Sequence, residues 1–123
     1  MQYLHSKNIV HTNLKPSSII IDENLYPHIN EYFIPSINKT HYTAPEIFEN
    51  NEYSTESDIY SFSIIAYILL TGHSPFRNCE IYELSKSIQN KKEELSFEHI
   101  SDSNIKQFFE QCTSITPSNR LPF

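Results

Sequence analysis

Residues 11–22 read HTNLKPSSIIID, and this stretch decides the fold that we expect for the chain. Its three consecutive isoleucines favour a short strand, because β-branched side chains suit a pleated surface. The turn sequence DENLYP follows, and His28 and Ile29 then favour a second strand. The sequence therefore predicts a small β-hairpin directly after a polar loop.

The residues on the N-terminal side of this loop are typical of a helix end. Residues 1–7 carry apolar side chains compatible with the last turns of a helix, and Asn8 suits the left-handed residue that often terminates one. Ile9 and Val10 then favour a very short strand. We therefore expect the helix to end shortly before the loop begins.

Downstream, the pattern is mostly helical. Ser57 and Asp58 are candidate caps of a helix that is apolar around most of its circumference and so belongs at the centre of a domain. Its apolar residues are Ile59, Phe62, Ile64, Ile65, Ala66, Ile68, Leu69 and Leu70. Residues 80–89 and Ser103–Cys112 each place apolar side chains on one face, which predicts two amphipathic helices packed on the central one. Residues 31–42 show no period and are predicted to be a loop.

Composition limits the classes of function. A length of 123 residues allows one domain, and a net charge of −6 argues against a nucleic-acid partner, which would need clustered positive charge. Cys79 and Cys112 lack the spacing of a zinc or redox motif, so we expect reduced thiols in a cytoplasmic protein. The longest apolar run is too short to cross a membrane.

Five ordered motifs together resemble the C-terminal lobe of a eukaryotic protein kinase of the tyrosine-kinase-like type. They are YLHSKNIVHTNLKPSSIIID at 3–22, INEYF at 29–33, APE at 44–46, SDIYSFSIIAYILLTGHSPF at 57–76 and TPSNRLPF at 116–123. The resemblance implies one partial kinase domain over residues 1–123, with an α+β fold that is mainly helical and carries a small hairpin. In the family, the glycine-rich loop and the phosphate-pairing lysine precede this region, so we expect no N-terminal lobe.

The resemblance also assigns positions for phosphate-transfer chemistry. Asn13 stands where the family has the aspartate that accepts the substrate proton, and Lys15 matches the lysine that neutralises the transferring phosphate. Ser18 and Glu31 stand at the two positions of the family's magnesium ligands, an asparagine and an aspartate, and would be weak ligands. The residues alone leave a second interpretation of each position open, with Asn13 as a loop residue that bonds to nearby backbone and Lys15 as an exposed lysine on a loop.

Other matched positions imply structural roles. His11 resembles the histidine that packs beneath the catalytic loop, and Asp58 the aspartate that accepts hydrogen bonds from the loop backbone, although a helix N-cap explains Asp58 too. Glu46 and Arg120 match an ion pair between the activation segment and the last helices. Thr12 replaces the family's arginine, which pairs with a phosphorylated activation segment.

The scaffold positions are kept and the chemical positions are altered, so we expect a pseudokinase-like module that binds proteins or acts allosterically. For that reading we expect no cofactor and an unidentified protein partner. The alternatives are a serine/threonine protein kinase that uses Mg·ATP and whose N-terminal lobe lies outside this chain, and a decayed fragment without function. Recognition of nucleic acid or of a membrane is not expected.

Overall fold

The computed structural model describes residues 1–30, 39–76, 80, 81, 83, 86, 95 and 97–123. This part of the chain forms four α-helices: α1 (Gln2–Ser6), α2 (Pro45–Asn50), α3 (Thr55–Thr71) and α4 (Ser103–Cys112). It also forms strands β1 (Ile19–Ile21) and β2 (Pro27–Ile29) and two 3₁₀ helices, Pro16–Ser18 and Pro117–Asn119. The prediction of a mainly helical chain with one small hairpin is confirmed for these residues. Of the helix predicted over 80–89, residues 80, 81, 83 and 86 are described, and 81, 83 and 86 have helical backbone. The rest of that helix and most of the loop predicted over 31–42 lie outside the described residues.

The end of α1 explains why one sequence prediction is right and the next is wrong. Asn8 adopts the predicted left-handed conformation with φ +56°. Its amide donates to His5 O at 2.9 Å, and the amide of Ile9 donates to Leu4 O at 2.9 Å, which together form a Schellman motif. Because the amide of Ile9 closes the helix, residues 9 and 10 do not form the predicted strand.

The predicted β-hairpin is present and sits directly after the loop. Strands β1 and β2 pair antiparallel, with Ile19 opposite Ile29, Ile20 opposite His28 and Ile21 opposite Pro27. Asp22 organises the turn, since its Oδ1 accepts hydrogen bonds from the amides of Asn24 and Tyr26, each at 2.9 Å. The hairpin thus holds residue 18 at one fixed end of the loop.

Helix α3 begins earlier than the sequence suggested. Ser54 is the N-cap: its hydroxyl accepts a hydrogen bond from the amide of Ser57 at 3.3 Å, and the Ser57 hydroxyl accepts one from the amide of Ser54 at 3.2 Å. Asp58 lies inside the first turn, so the N-cap interpretation of Asp58 is wrong. The helix ends at Gly72, whose φ of +70° favours glycine. Because Ser54 caps the helix, the carboxylate of Asp58 is available for hydrogen bonds to other parts of the chain.

Helix α3 runs through the centre of the core, as predicted. Its residues contribute to two groups of buried side chains. The first is Ala44, Ile47, Tyr60, Ile64 and Phe76, and the second is Tyr67, Phe97, Ile100 and Phe109. The prediction fails at the last turn, where Leu69 is 81% and Leu70 is 58% exposed. Burial around the whole helix is thus limited to its first four turns.

Helix α4 begins and ends where predicted. Asp102 caps it by accepting hydrogen bonds from the amides of Asn104 at 2.8 Å and Ile105 at 3.1 Å. Phe109 and Cys112 are buried, whereas Ile105 and Phe108, predicted to face inward with them, are each 41% exposed. The helix packs on α3 through only part of the predicted face. Across the described ranges, no helix combines the length and the apolar character that a membrane span requires.

Candidate functional site

The loop at residues 11–18 is fixed to helix α3 by one buried carboxylate. Asp58 is 2% exposed. Its Oδ2 accepts a hydrogen bond from the backbone amide of His11 at 2.7 Å, and its Oδ1 accepts one from the amide of Thr12 at 3.1 Å. A buried carboxylate requires such donors to offset its lost hydration. Asp58 therefore sets the position of the loop backbone relative to the core.

The side chain of His11 joins this loop to the hairpin. It is fully buried, and its Nε2 lies 3.0 Å from the carbonyl oxygen of Asn30, the residue after β2. A carbonyl only accepts, so Nε2 carries the proton and Nδ1 is free to accept from the amide of Asn13 at 3.3 Å. His11 therefore lies beneath the loop, with both ring nitrogens hydrogen-bonded.

Thr12 is held in an unusual backbone conformation. Its φ is +73°, a value that β-branched residues rarely adopt. Its hydroxyl oxygen is buried and has no hydrogen-bond partner among the described residues. The amide of Thr12 is hydrogen-bonded to Asp58 Oδ1 at 3.1 Å. No sequence pattern distinguishes such a threonine from an ordinary loop residue.

Asn13 lies beside a small cavity. The cavity has a volume of about 10 Å³, close to the size of one water molecule. It is lined by Thr12, Asn13, Leu14, Lys39, Thr40, Tyr42, Thr43, Ile47, Tyr53 and Ser61. The end of the segment before α2 thus closes over the loop at residue 13. The carboxamide there is neutral and cannot take up a proton near neutral pH.

The side chain of Ser18 is hydrogen-bonded within its own turn. Its buried hydroxyl donates to the carbonyl oxygen of Lys15 at 2.7 Å and accepts from the amide of Lys15 at 3.1 Å. The hydroxyl hydrogen and one lone pair are therefore used locally. The side chain of Lys15 is half-buried and forms no ion pair with an acidic residue of the described ranges.

Of the two side chains that we expected at a metal site, the structure describes only Ser18. Glu31 lies outside the described residues. Within the described ranges, no group of three or more histidine, cysteine, aspartate or glutamate side chains is placed to hold a metal ion. A neutral amide at Asn13 and an engaged hydroxyl at Ser18 do not resemble the oxygen-rich, charged shell that Mg²⁺ prefers. The described donors therefore fit a magnesium site poorly.

Glu46 and Arg120 form a second cluster of contacts at α3. Arg120 Nη1 donates to Glu46 Oε1 at 2.6 Å and Nη2 donates to Oε2 at 2.8 Å, so the pair is bidentate. Two more donors of Arg120 reach the carbonyl oxygens of Glu56 at 3.0 Å and Ser114 at 2.8 Å. Arg120 is 5% exposed. The guanidinium therefore ties α2, α3 and the segment after α4 together.

Tyr60 completes this second cluster. The guanidinium carbon of Arg120 lies 5.1 Å from the centre of the Tyr60 ring, within cation–π range. Burial raises the pKa of the Tyr60 hydroxyl well above its usual range, while the nearby Arg120 opposes that shift. The phenol is therefore neutral and acts as part of the core. Sequence analysis assigned Tyr60 no role, since its ring is recognisable as a partner only once Arg120 is folded onto it.

The amino-acid sequence matches a known family. The family model described as the protein kinase domain matches residues 1–123. The chain belongs to the protein kinase family. Similar curated proteins support this kinase assignment.

A probable serine/threonine-protein kinase of Dictyostelium discoideum is 29% identical and matches 100% of this chain and 10% of its own length. The cAMP-dependent protein kinase type 3 of Saccharomyces cerevisiae is 28% identical over 98% of this chain and 32% of its own length. Serine/threonine-protein kinase 33 of Mus musculus is 32% identical over 97% of this chain and 29% of its own length. The kinase chain thus spans at most about a third of these relatives.

Proposed function

We propose that this chain is the C-terminal-lobe part of a kinase domain of the tyrosine-kinase-like type, with impaired phosphate transfer and a role as a protein-binding or allosteric module. One contrast carries the proposal. The scaffold contacts, which are those of Asp58 with the amides of His11 and Thr12 and the bidentate Glu46–Arg120 pair, are complete. The positions that would act on substrate and metal hold Asn13 and the engaged hydroxyl of Ser18.

The replacement at residue 13 removes proton acceptance from the loop. In the family this position accepts the proton of the substrate hydroxyl, and general base catalysis is worth about 10² to 10⁴ in rate. The amide of Asn13 has no comparable basicity. A correctly placed loop therefore does not by itself restore this part of the reaction.

The metal positions give an independent reason. When bound, Mg·ATP supplies the phosphoryl group and neutralises its developing charge. The Ser18 hydroxyl donates to Lys15 O, so only one lone pair remains for any ligand. Mg²⁺ demands near-ideal octahedral oxygen geometry. A buried hydroxyl that already makes two hydrogen bonds does not offer it. We therefore derive no catalytic step through this ion.

A kept scaffold with altered chemistry suits recognition of other proteins. The net charge of −6 favours a protein partner over nucleic acid, and the same composition supports our proposal of a cytoplasmic location. The buried supports hold the loop and the segment before α2 in one arrangement. A rigid surface of this kind can bind a partner without any turnover.

A serine/threonine protein kinase is the second candidate. It is favoured by the similar proteins, which are named serine/threonine-protein kinases or a cAMP-dependent protein kinase. The half-buried side chain of Lys15, without an acidic partner in the described ranges, is also compatible with phosphate binding. In this case the activity would use Mg·ATP and would require parts of the kinase domain beyond this chain.

Binding of Mg·ATP by this chain tests the proposal, and a positive result would favour the second candidate. We expect the melting temperature of the chain to stay unchanged at millimolar Mg·ATP, because the described donors fit the metal poorly. The Lys15→Ala variant is the matched control, since it removes the one loop cation. A rise in melting temperature that Lys15→Ala abolishes would contradict the proposal and support the kinase. Unchanged melting in both proteins is the expected result.

A further inference from the structure

Phe123 packs against two residues that are distant in sequence. Its ring centroid lies 5.0 Å from that of Phe62 on α3, at an interplanar angle of 77°. It also lies 5.3 Å from the imidazole centroid of His5 on α1, at 58°. Edge-to-face ring pairs at such distances are attractive beyond simple burial. The ring of Phe123 thus restricts how the imidazole of His5 can turn.

His5 in turn contacts the carboxylate that holds the loop. Its Nε2 lies 2.9 Å from Asp58 Oδ2, and the His5 side chain is 11% exposed. An ionised carboxylate only accepts, so Nε2 is the donor. Asp58 Oδ2 therefore accepts from both His5 and the amide of His11, while Oδ1 accepts from the amide of Thr12. A continuous series of contacts joins Phe123 to the loop.

We propose that Phe123 is a positioning residue for residues 11–13, acting through His5 and Asp58. The inference goes beyond the proposed function and holds whether or not the chain transfers phosphate. When the Phe123 ring is absent, the imidazole gains rotational freedom and the carboxylate loses a fixed donor. The longest of the three bonds, 3.1 Å to the amide of Thr12, is the one that opens first.

Thr12 makes the loop sensitive to this loss. Its φ of +73° is unfavourable for a β-branched residue and persists only while surrounding contacts impose it. A looser Asp58 allows Thr12 to relax, and this moves Asn13, the next residue. A partner that displaced Phe123 would therefore alter the loop without touching it.

Hydrogen exchange of single amides, followed by NMR on the whole chain, tests the coupling. In Phe123→Ala we expect the amides of His11 and Thr12 to exchange about threefold to tenfold faster, since the ring contact that restricts His5 is lost. His5→Phe keeps an aromatic ring but removes the donor, and should accelerate the same two amides. If Phe123 acts through His5, adding Phe123→Ala to His5→Phe produces no further acceleration.

Two controls make the test decisive. Phe108 is 41% exposed against 37% for Phe123 and also packs on one neighbouring ring on its own helix, so Phe108→Ala is a matched truncation. It should leave the amides of His11 and Thr12 at parental rates. The amide of Thr113, which donates to Phe109 O at 3.0 Å, reports stability outside residues 11–18. Parental rates at both loop amides in Phe123→Ala would overturn the proposal. Multiplicative effects with His5→Phe, or equal acceleration at Thr113, would also overturn it.

Discussion

Replacing Arg120 by alanine should be among the most destabilising single changes in this chain. The substitution removes both hydrogen bonds to Glu46 and leaves that carboxylate, only 12% exposed, without its counter-charge. Breaking a buried pair by removing one partner costs about 3 to 5 kcal/mol. The carbonyl oxygens of Glu56 and Ser114 also lose a donor. We therefore expect the free energy of unfolding to fall by about 3 to 5 kcal/mol.

Arg120→Lys tests the geometry separately from the charge. An ammonium can still neutralise Glu46, but it cannot reproduce a planar fork that reaches Glu46, Glu56 O and Ser114 O together. At least one buried carbonyl then lacks its donor, which costs about 1 to 3 kcal/mol. The lysine variant should therefore lie between the parent and Arg120→Ala.

Urea unfolding with linear extrapolation measures both changes, and the slope of the denaturant dependence should remain that of the parent. Lys106→Ala, on the exposed face of α4, is the matched control and should change stability by no more than about 0.5 kcal/mol. The double variant Glu46→Ala with Arg120→Ala should lose less free energy of unfolding than the sum of the losses in the two single variants. Midpoints for Arg120→Ala and Arg120→Lys equal to that of the parent would refute the reasoning.

Two further predictions concern single carboxylates. Asp58→Asn weakens the bonds to the loop amides, so we expect the free energy of unfolding to fall by about 1.5 to 3 kcal/mol in the same urea assay; parental stability would contradict this. The hydrogen bond from His28, followed by those from the amides of Tyr26 and Asn24, holds the pKa of Asp22 below its usual value. The deprotonated carboxylate thus stabilises the hairpin turn at neutral pH, and this contribution disappears as the pH falls from about 4 through the lowered pKa. NMR shifts of the turn amides should report this loss, and shifts that change only above pH 5 would contradict it.

Local sequence patterns predicted those elements whose ends are set by neighbouring side chains. Helix α4 and the hairpin follow from apolar spacing and turn residues within a few positions. The strand at Ile9 and Val10 failed because the amide of Ile9 is used by the helix end, through a bond to Leu4 that composition does not reveal. The start of α3 is an exception, because it is also set locally, by the two reciprocal hydrogen bonds between Ser54 and Ser57, but lies one turn before the expected cap.

The site was less accessible to sequence reasoning because its contacts span long separations. His5 and Asp58 are 53 residues apart, and no spacing rule connects them. The two hydrogen bonds of the Ser18 hydroxyl depend on the local backbone path, which places the carbonyl and the amide of Lys15 next to it. The family resemblance supplied the Glu46–Arg120 pair, but the extra bonds of Arg120 to two carbonyls required the fold.

We propose that the altered residues of the loop prevent phosphate transfer, although Asp58 still holds the loop backbone in place. The most direct measurement fuses the chain to the N-terminal lobe of an active serine/threonine relative and follows incorporation of radiolabelled phosphate into a generic protein substrate. The account predicts no incorporation by the parental fusion. Incorporation should appear only when Asn13→Asp and Ser18→Asn are combined with Glu31→Asp and with Phe33→Gly, which restores the glycine that the family has at that position, because these parts act as a unit. Incorporation by the parental fusion that Lys15→Ala abolishes would contradict the account and identify an active kinase.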